Sequence, residues 1–105
     1  MQIQVNTDNV IHGDERLIEI AKDAVNSDLN HFSERLTRVE VHLRDQNAEK
    51  RGPEHIRCTM EARPRGHGPI AAHHDAPDIL AALKGAAKTL RARLTSEFEK
   101  LDAHR

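Results

Sequence analysis

Apolar residues recur along this chain with two different spacings, and each spacing predicts a different element. A spacing of two is typical of strands with one apolar face, and it marks four short segments: residues 2–7, 38–44, 55–63 and 70–74. Spacings of three and four are typical of amphipathic helices, and they mark two longer segments: residues 14–32 and 78–101. The sequence therefore predicts the order β-α-β-β-β-α.

The last helical segment carries two distinct stripes of side chains. One stripe is apolar and predicts the side that faces a core: Leu80, Leu83, Ala87, Leu90, Leu94, Phe98 and Leu101. The other stripe presents Lys84, Lys88 and Arg91, again at steps of four and three, with Arg93 close beside it. A charged stripe of this kind either solvates the outside of a helix or binds an anion such as a phosphate.

Both predicted helices begin near an acidic residue suited to capping. Gly13-Asp14 resembles the start of the first helix. For the last helix we expect Asp75 as the cap and Pro77 in the first turn, where its missing N–H costs little. The first helix differs in charge from the last, because acids outnumber bases along it: Asp14, Glu15, Glu19, Asp23 and Asp28 against Arg16 and Lys22.

The order of the elements constrains how they assemble. A helix between the first two strands lets them pair in parallel through a right-handed crossover, whereas short turns make the later pairs antiparallel. Each strand has one apolar face, so both helices should pack on the same side of the sheet. We predict an α+β fold in which residues 1–105 form a single domain around a four-stranded mixed sheet. The other face of the sheet should be exposed and carry His42, Arg44, Arg57, Glu61 and Arg63.

Composition narrows the classes of function. The formal net charge is −1, so any binding of nucleic acid would need a local basic patch rather than a polycationic chain. Phe32 and Phe98 are the only aromatic residues, which argues against stacking platforms for single-stranded nucleic acid. Cys58 is the single cysteine, so a reducing compartment is expected. With no signal peptide and no apolar run of membrane-spanning length, we expect a cytoplasmic protein.

The sequence contains no enzymatic or metal-binding motif that we can identify. His67, His73 and His74 lie close together, but adjacent residues of a strand point to opposite faces, and HExxH and Cys-x-x-Cys spacings are absent. Cys58 falls at an inward position, where a thiol usually packs as a small apolar group. The GxG turn at residues 66–68 leads into a strand rather than a helix, so it is no phosphate loop. We therefore predict no catalytic residue, metal site, cofactor or small-molecule substrate.

Three segments resemble a known family: MQIQVNTDNV at residues 1–10, NHFSERLTRVEVHL at residues 30–43 and DILAALKGAAKTLRARL at residues 78–94. In element order and in these patterned positions, the chain resembles the short ribosome hibernation promoting factors and related ribosome-associated inhibitors, once described as sigma-54 modulation proteins. The resemblance implies a fold similar to that of double-stranded-RNA-binding domains. It also implies a non-enzymatic protein that binds small-subunit rRNA near the decoding region and blocks the sites of messenger and transfer RNA. Such a protein would hold ribosomes inactive during stress or stationary phase.

The resemblance also implies which residues contact RNA. Family members use basic residues on both helices. In this sequence, only the last helix has basic residues that clearly match those of the family. The first helix departs from the family, because Asn26, Ser27 and Asp28 stand where other members tend to have lysines. The predicted RNA-binding set therefore centres on the last helix and adds one residue of the first helix and two of the sheet: Lys84, Lys88, Arg91, Arg93, Lys22, Arg57 and Arg63. Further residues that could extend this surface are Arg35, Arg38, Lys50 and Arg51.

Two other functions stay open at this point. A diverged family member could act as a protein-binding module, with its acidic first helix facing a basic partner. A small metal-linked stress protein is the third possibility. The sequence ends at Arg105, soon after the last helix, so we expect the short form of the family, without the C-terminal domain that long members use to pair ribosomes. The oligomeric state is not predicted.

Overall fold

Four strands and two helices follow one another in the predicted order within the part of the chain that the structure describes. The computed structural model describes residues 1–47 and 52–103. Its main elements are β1 Gln2–Thr7, α1 Glu15–Leu29, β2 Leu36–Asp45, β3 Ile56–Pro64, β4 Ile70–Ala76 and α2 Ile79–Ala103. A short 3₁₀ helix, Asn30–Phe32, follows α1. The loop predicted after β2 is described only in part, because residues 48–51 lie outside those ranges.

The sheet has the order β1-β2-β3-β4, with one parallel pair and two antiparallel pairs. Ile3 lies beside Val39 in the parallel pair. Val41 lies beside Met60 in the first antiparallel pair, and Met60 lies beside Ala72 in the second. The crossover through α1 and the direct connections between later strands account for these directions. The predicted α+β fold with a mixed four-stranded sheet is confirmed.

The hydrophobic core lies between the sheet and the two helices. Val39, Val41, Cys58 and Met60, which alternate along the two central strands, are completely buried. The two helices contribute mainly aliphatic side chains to the same hydrophobic cluster: Leu17, Ala21, Val25, Leu29, Leu83, Leu90 and Leu94. Because one cluster contains the inward strand residues and the buried sides of both helices, α1 and α2 cover the same face of the sheet.

One of the two predicted helix caps is correct and the other is wrong. Asp14 caps α1, and its Oδ1 accepts a hydrogen bond from the Leu17 N–H at 2.9 Å. Asp78, rather than Asp75, caps α2, and its Oδ1 accepts from the Ala81 N–H at 2.8 Å. The strand extends further than its weak pattern suggested, to Ala76. Pro77 favours an extended conformation for the residue before it, so the helix begins only beyond the proline.

The apolar stripe of α2 is less completely buried than the sequence predicted. Leu80 is 47% exposed and Leu101 is 40% exposed, whereas Leu83, Leu90 and Leu94 are completely buried. The 25-residue helix is about 37 Å long, while the seven-residue strand β4 spans only about 23 Å. α2 is therefore longer than the strand it follows, and the two exposed leucines lie towards its two ends. Within the described ranges, no helix is both long and apolar enough to cross a membrane.

The Asp8 side chain joins the end of β1 to the end of β2 by hydrogen bonds. Its Oδ1 accepts hydrogen bonds from the N–H groups of Val10 and Ile11 at 3.0 and 2.9 Å. Its Oδ2 accepts from the Asp45 N–H at 2.8 Å. These backbone donors, with Ile11 contributing most, hold the pKa of the Asp8 carboxyl below its ordinary value. The carboxylate therefore fixes the turn that leads from β1 towards α1.

Candidate nucleic-acid interface

A surface groove runs between α1 and α2, and it contains the centre of the predicted RNA-binding set. Its volume is about 510 Å³. Both helices line it: Ile20, Asp23, Ala24, Ser27, Asp28, Leu80, Lys84 and Lys88. The spacing explains this grouping, since steps of three and four keep residues on one side of a helix. We call this feature the inter-helix groove.

Lys84 and Lys88 form the basic rim of the inter-helix groove. Both side chains are exposed and lie one helical turn apart, about 6 Å along the axis. No carboxylate in residues 1–47 or 52–103 forms an ion pair with either ammonium group. Their charge is therefore not neutralised within this part of the protein. A lysine in this state is a compact point charge that can bind a phosphate oxygen.

The opposite side of the groove is acidic, and Asp23 and Asp28 of α1 form this acidic rim. Asp28 reaches across to α2, where its Oδ1 lies 3.7 Å from Nη1 of Arg91. Arg91 is thus partly neutralised, although its side chain is still 55% exposed. The two rims give the groove one positive side and one negative side, rather than a continuous positive surface.

Arg93 and Lys22 lie away from the groove. Arg93 is two residues from Arg91, which places it about 200° further round the helix axis. Its Nη1 donates to the carbonyl oxygen of Ala71 in β4 at 3.1 Å. The expectation that Arg93 lies close beside the stripe of Lys84, Lys88 and Arg91 is therefore wrong. Lys22 is exposed on α1 but lies about 200° from Ile20, which lines the groove.

Arg57 and Arg63 lie on the side of the sheet that the helices leave uncovered, here called the open face. Nε and Nη2 of Arg57 donate to the two carboxylate oxygens of Asp75 at 2.8 and 3.1 Å. This hydrogen-bonded pair raises the pKa of Arg57 above its ordinary value. Nη2 of Arg63 lies 2.9 Å from Oε1 of Glu61 and 3.2 Å from Oε2 of Glu40. Both arginines are therefore held by carboxylates, and the sheet separates them from the basic rim.

Two further arginines also serve the fold. The Arg35 guanidinium donates to both carboxylate oxygens of Asp102 at 3.2 Å, and its Cζ lies 3.8 Å from the centre of the Phe98 ring. Arg35 thereby joins the end of α2 to the segment before β2. Nη2 of Arg38 lies 3.1 Å from Oε2 of Glu40. The last two residues expected to extend the basic surface, Lys50 and Arg51, lie outside the described residues.

The structure therefore divides the predicted RNA-binding set among separate surfaces. Only Lys84, Lys88 and Arg91 come together, along one side of α2. The sequence analysis identified the acidic first helix but did not place Asp23 and Asp28 in the same groove as the lysines. A signal for this was present, because Asp23 follows Ile20 by three residues and Asp28 follows Ala24 by four, which places them on one side of the helix.

The cysteine and the histidines take positions expected of structural or surface residues. Cys58 is completely buried, and burial raises the pKa of its thiol to about 12. His73 and His74 are both exposed, and the His74 ring lies against Gly85 of α2, so the helix is close to the strand there. Across the described part of the chain, no three His, Cys, Asp or Glu side chains are grouped so as to hold a metal ion.

Comparison with known proteins identifies the family. The family model for sigma 54 modulation protein / S30EA ribosomal protein matches residues 3–102, nearly the whole chain. The chain belongs to the S30EA family. This family consists of ribosome-associated modulation proteins rather than enzymes. The resemblance drawn from the three sequence segments is confirmed.

Solved structures share the fold at low sequence identity. A ribosomal subunit interface protein from Coxiella burnetii has a TM-score of 0.75 and 11% identity, covering 94% of this chain and 99% of its own. The N-terminal domain of Protein Y from Thermus thermophilus has a TM-score of 0.65 and 14% identity, covering 89% of this chain and 94% of its own. No curated protein is similar enough in sequence to be matched. At these identities the two structures establish the fold alone.

Within this S30EA-family chain, the surface most suited to an anionic partner is the α2 side of the inter-helix groove. The basic rim projects from a helix whose other side packs on the sheet, so the lysines are presented by a rigid element. The acidic rim limits the positive surface to a strip along α2. Any nucleic acid bound here would have to approach along that strip and avoid Asp23.

Proposed function

We propose that this S30EA-family protein binds the small ribosomal subunit in the cytoplasm, near the decoding region, and inhibits translation during stress or stationary phase. Support comes from the family match over residues 3–102. A protein of the same fold from Coxiella burnetii is described as a ribosomal subunit interface protein. The single observation that carries the RNA contact is the exposed, unpaired state of Lys84 and Lys88 among the described residues.

The mechanism requires no chemical step. Lys84 and Lys88, one turn apart on α2, neutralise phosphates of rRNA, and Arg91 adds a third contact when it exchanges Asp28 for a phosphate oxygen. Such contacts position the protein without reading base sequence. The bound domain then occupies space that messenger and transfer RNA need, so inhibition is steric. The arginines of the open face play no part in this contact, because Arg57 and Arg63 are held by carboxylates.

Sedimentation of the purified protein with purified small subunits over a salt series tests this function. With two or three phosphate contacts, the logarithm of the binding constant should fall against the logarithm of salt with a slope of roughly −2 to −3. Lys88→Glu should weaken binding. Lys100→Glu is the matched control, since it reverses one charge on the same helix outside the groove. Absence of co-sedimentation even at low salt would reject the proposal.

A protein-binding module is the second candidate, and the acidic rim favours it. Asp23 and Asp28 stand in the groove where an RNA-binding surface would be positive throughout. If the acidic rim carries the function, tagged protein should capture one defined basic protein and no RNA from nuclease-treated extract. That capture should be lost in Asp23→Lys and retained in Lys88→Glu. The opposite pattern, loss of ribosome binding in Lys88→Glu alone, would favour the rRNA contact.

A further inference from the structure

The inter-helix groove continues into an apolar depression at the N-terminal ends of both helices. The depression has a volume of about 580 Å³ and is lined by His12, Asp14, Arg16, Leu17, Ile20, Asp78, Ile79 and Leu80. Ile20 and Leu80 line both the groove and the depression. Leu80 is 47% exposed, and Val10, two residues before His12, is 70% exposed. Exposed apolar surface that adjoins organised charge is typical of a contact site.

The two helices run in the same direction. β1 is parallel to β2, β3 is antiparallel to β2, and β4 is antiparallel to β3, so β1 and β4 point the same way. Each helix follows one of these strands and returns along the sheet. In agreement, the capping residues Asp14 and Asp78 line the same depression. Along its length the groove thus has an acidic rim on one side and a basic rim on the other, and it is apolar at one end.

We infer that a second copy of this chain docks on this surface, with the twofold axis of the dimer running along the groove. A twofold contact between two such surfaces has its axis in the plane of the interface. An axis across the groove would place each α1 against its own copy, so Asp23 would face Asp23. An axis along the groove places α1 of one copy over α2 of the other. The acidic rim of each copy then faces the basic rim of its partner.

The same axis also brings the apolar ends together. Rotation about the groove direction preserves the direction of the helices, so Ile20 and Leu80 of both copies meet at one end. At about 1.5 Å per residue, the 15 residues of α1 give a shared face about 22 Å long. A contact limited to this short face belongs at the low end of specific interfaces, below about 1,200 Å² in total. The result is a weak, salt-sensitive dimer of two helix pairs.

Dimerisation and the proposed RNA contact exclude each other, because both need Lys84 and Lys88. The dimer would therefore hold the basic rim covered until RNA displaces the second copy. The inference does not rest on ribosome binding, since the dimer can form whether or not the protein binds RNA. Co-sedimentation with ribosomes and self-association are measured separately, so failure of one leaves the other standing.

Sedimentation equilibrium of the full chain, purified with a nuclease step to remove nucleic acid, tests directly whether it dimerises. Detection by interference optics is needed, because the chain contains no Trp or Tyr and absorbs little at 280 nm. At low salt we expect a monomer–dimer equilibrium. The dimer dissociation constant should rise at least about tenfold when the salt concentration is raised to about 1 M, where screening acts over roughly 3 Å.

A pair of charge-exchange variants tests the orientation of the dimer. K84E/K88E makes both rims acidic, and D23K/S27K makes the α1 rim basic while leaving the Asp28–Arg91 pair in place. Each variant alone should be monomeric, because like charges then face each other. An equimolar mixture should dimerise about as tightly as the native chain, because each altered rim meets an opposite one. K22E/K100E is the matched control, with two reversed charges outside the groove, and should dimerise normally.

Leu80→Glu tests the apolar part of the contact independently. It should raise the dimer dissociation constant at least about tenfold, and a thermal melt followed by circular dichroism checks that the variant is folded. Three results would overturn the inference: a native chain that stays monomeric at all concentrations, a variant mixture that stays monomeric, or association that survives charge reversal. Recovery in the mixture, with none in the separate variants, would establish it.

Discussion

The open face of the sheet and the inter-helix groove are both rich in charged residues, but they differ in whether the basic residues are paired with carboxylates. On the open face, Arg57 is held by Asp75, and Arg63 is held by Glu40 and Glu61. On the groove side, Lys84 and Lys88 have no such partner among the described residues. An arginine that must first break its ion pair with a carboxylate gains less free energy from binding a phosphate. A count of basic residues is therefore a poor guide to a binding surface, and the partner of each residue is a better one.

The difference arises from how each element places its side chains. In the sheet, Arg38 lies opposite Arg63 and Glu40 lies opposite Glu61, so each arginine has a carboxylate on the diagonal. On α2, Lys84, Lys88 and Arg91 follow one another at steps of four and three, and the acids that line the same groove belong to α1. Of the three groove-side cations of α2, only Arg91 reaches one of them.

The largest expected effect is on the groove side. K84E/K88E should weaken binding to small ribosomal subunits about a hundredfold at low salt, or about tenfold per reversed charge. Its melting temperature should stay close to that of the native chain, because both side chains are exposed and unpaired. Co-sedimentation and circular dichroism measure the two properties. A fall in stability without a change in binding would reverse the comparison.

Asp8 should give the next largest effect, on stability alone. Asp8→Ala removes the acceptor of three backbone N–H groups and should lower the free energy of unfolding by about 1 to 2 kcal/mol. The folded pKa lies below the ordinary value of 3.8, so the contribution of the charge is complete above that pH. It should be lost as pH falls through the folded pKa. Urea denaturation at several pH values measures this, and Asp8→Asn should lack the pH dependence.

Arg57→Ala should have a smaller effect, and again on stability. It leaves Asp75 without its bidentate partner and should cost about 1 kcal/mol, since the pair is only partly buried. Ribosome binding should change by less than about twofold, because the residue is on the face opposite the groove. Denaturation and co-sedimentation check both parts. Marked loss of binding in Arg57→Ala would mean that the open face also contacts RNA.

Asp28→Asn should produce the smallest effect, in the opposite direction. The change frees Arg91 from its 3.7 Å ion pair and removes a negative charge from the groove. Binding to small subunits should tighten about threefold, and the slope of its salt dependence should become steeper by up to about one unit. Weaker binding in this variant would indicate that the Asp28–Arg91 pair positions Arg91 for its partner.

Most of the fold follows from residue spacing, because spacing depends on local geometry that the sequence contains. Alternation predicted that Val39, Val41 and Met60 face the core, and all three are completely buried. The error in the cap of α2 has a local origin, since two acidic residues, Asp75 and Asp78, precede the same helix. Capping preference alone cannot distinguish them, whereas strand pairing as far as Ala76 does.

The candidate site was less predictable, because it depends on which residues meet across elements. Nothing in the sequence pairs Arg57 with Asp75, which is 18 residues away and becomes its neighbour only through the β3–β4 register. The position of Arg93 is a different kind of error. Helical geometry alone separates it from Arg91, so a projection of α2 would have shown them on different sides.

The Arg93 contact has a further consequence, for aggregation. β4 is an edge strand of the sheet. Edge strands have unpaired backbone groups to which another chain can add as a further strand. Arg93 occupies the carbonyl oxygen of Ala71 in that strand and places a charged, bulky group beside it. Such a group discourages the growth of fibrils by strand addition. Through Arg93, α2 thus protects one carbonyl group of β4 from pairing with a second chain.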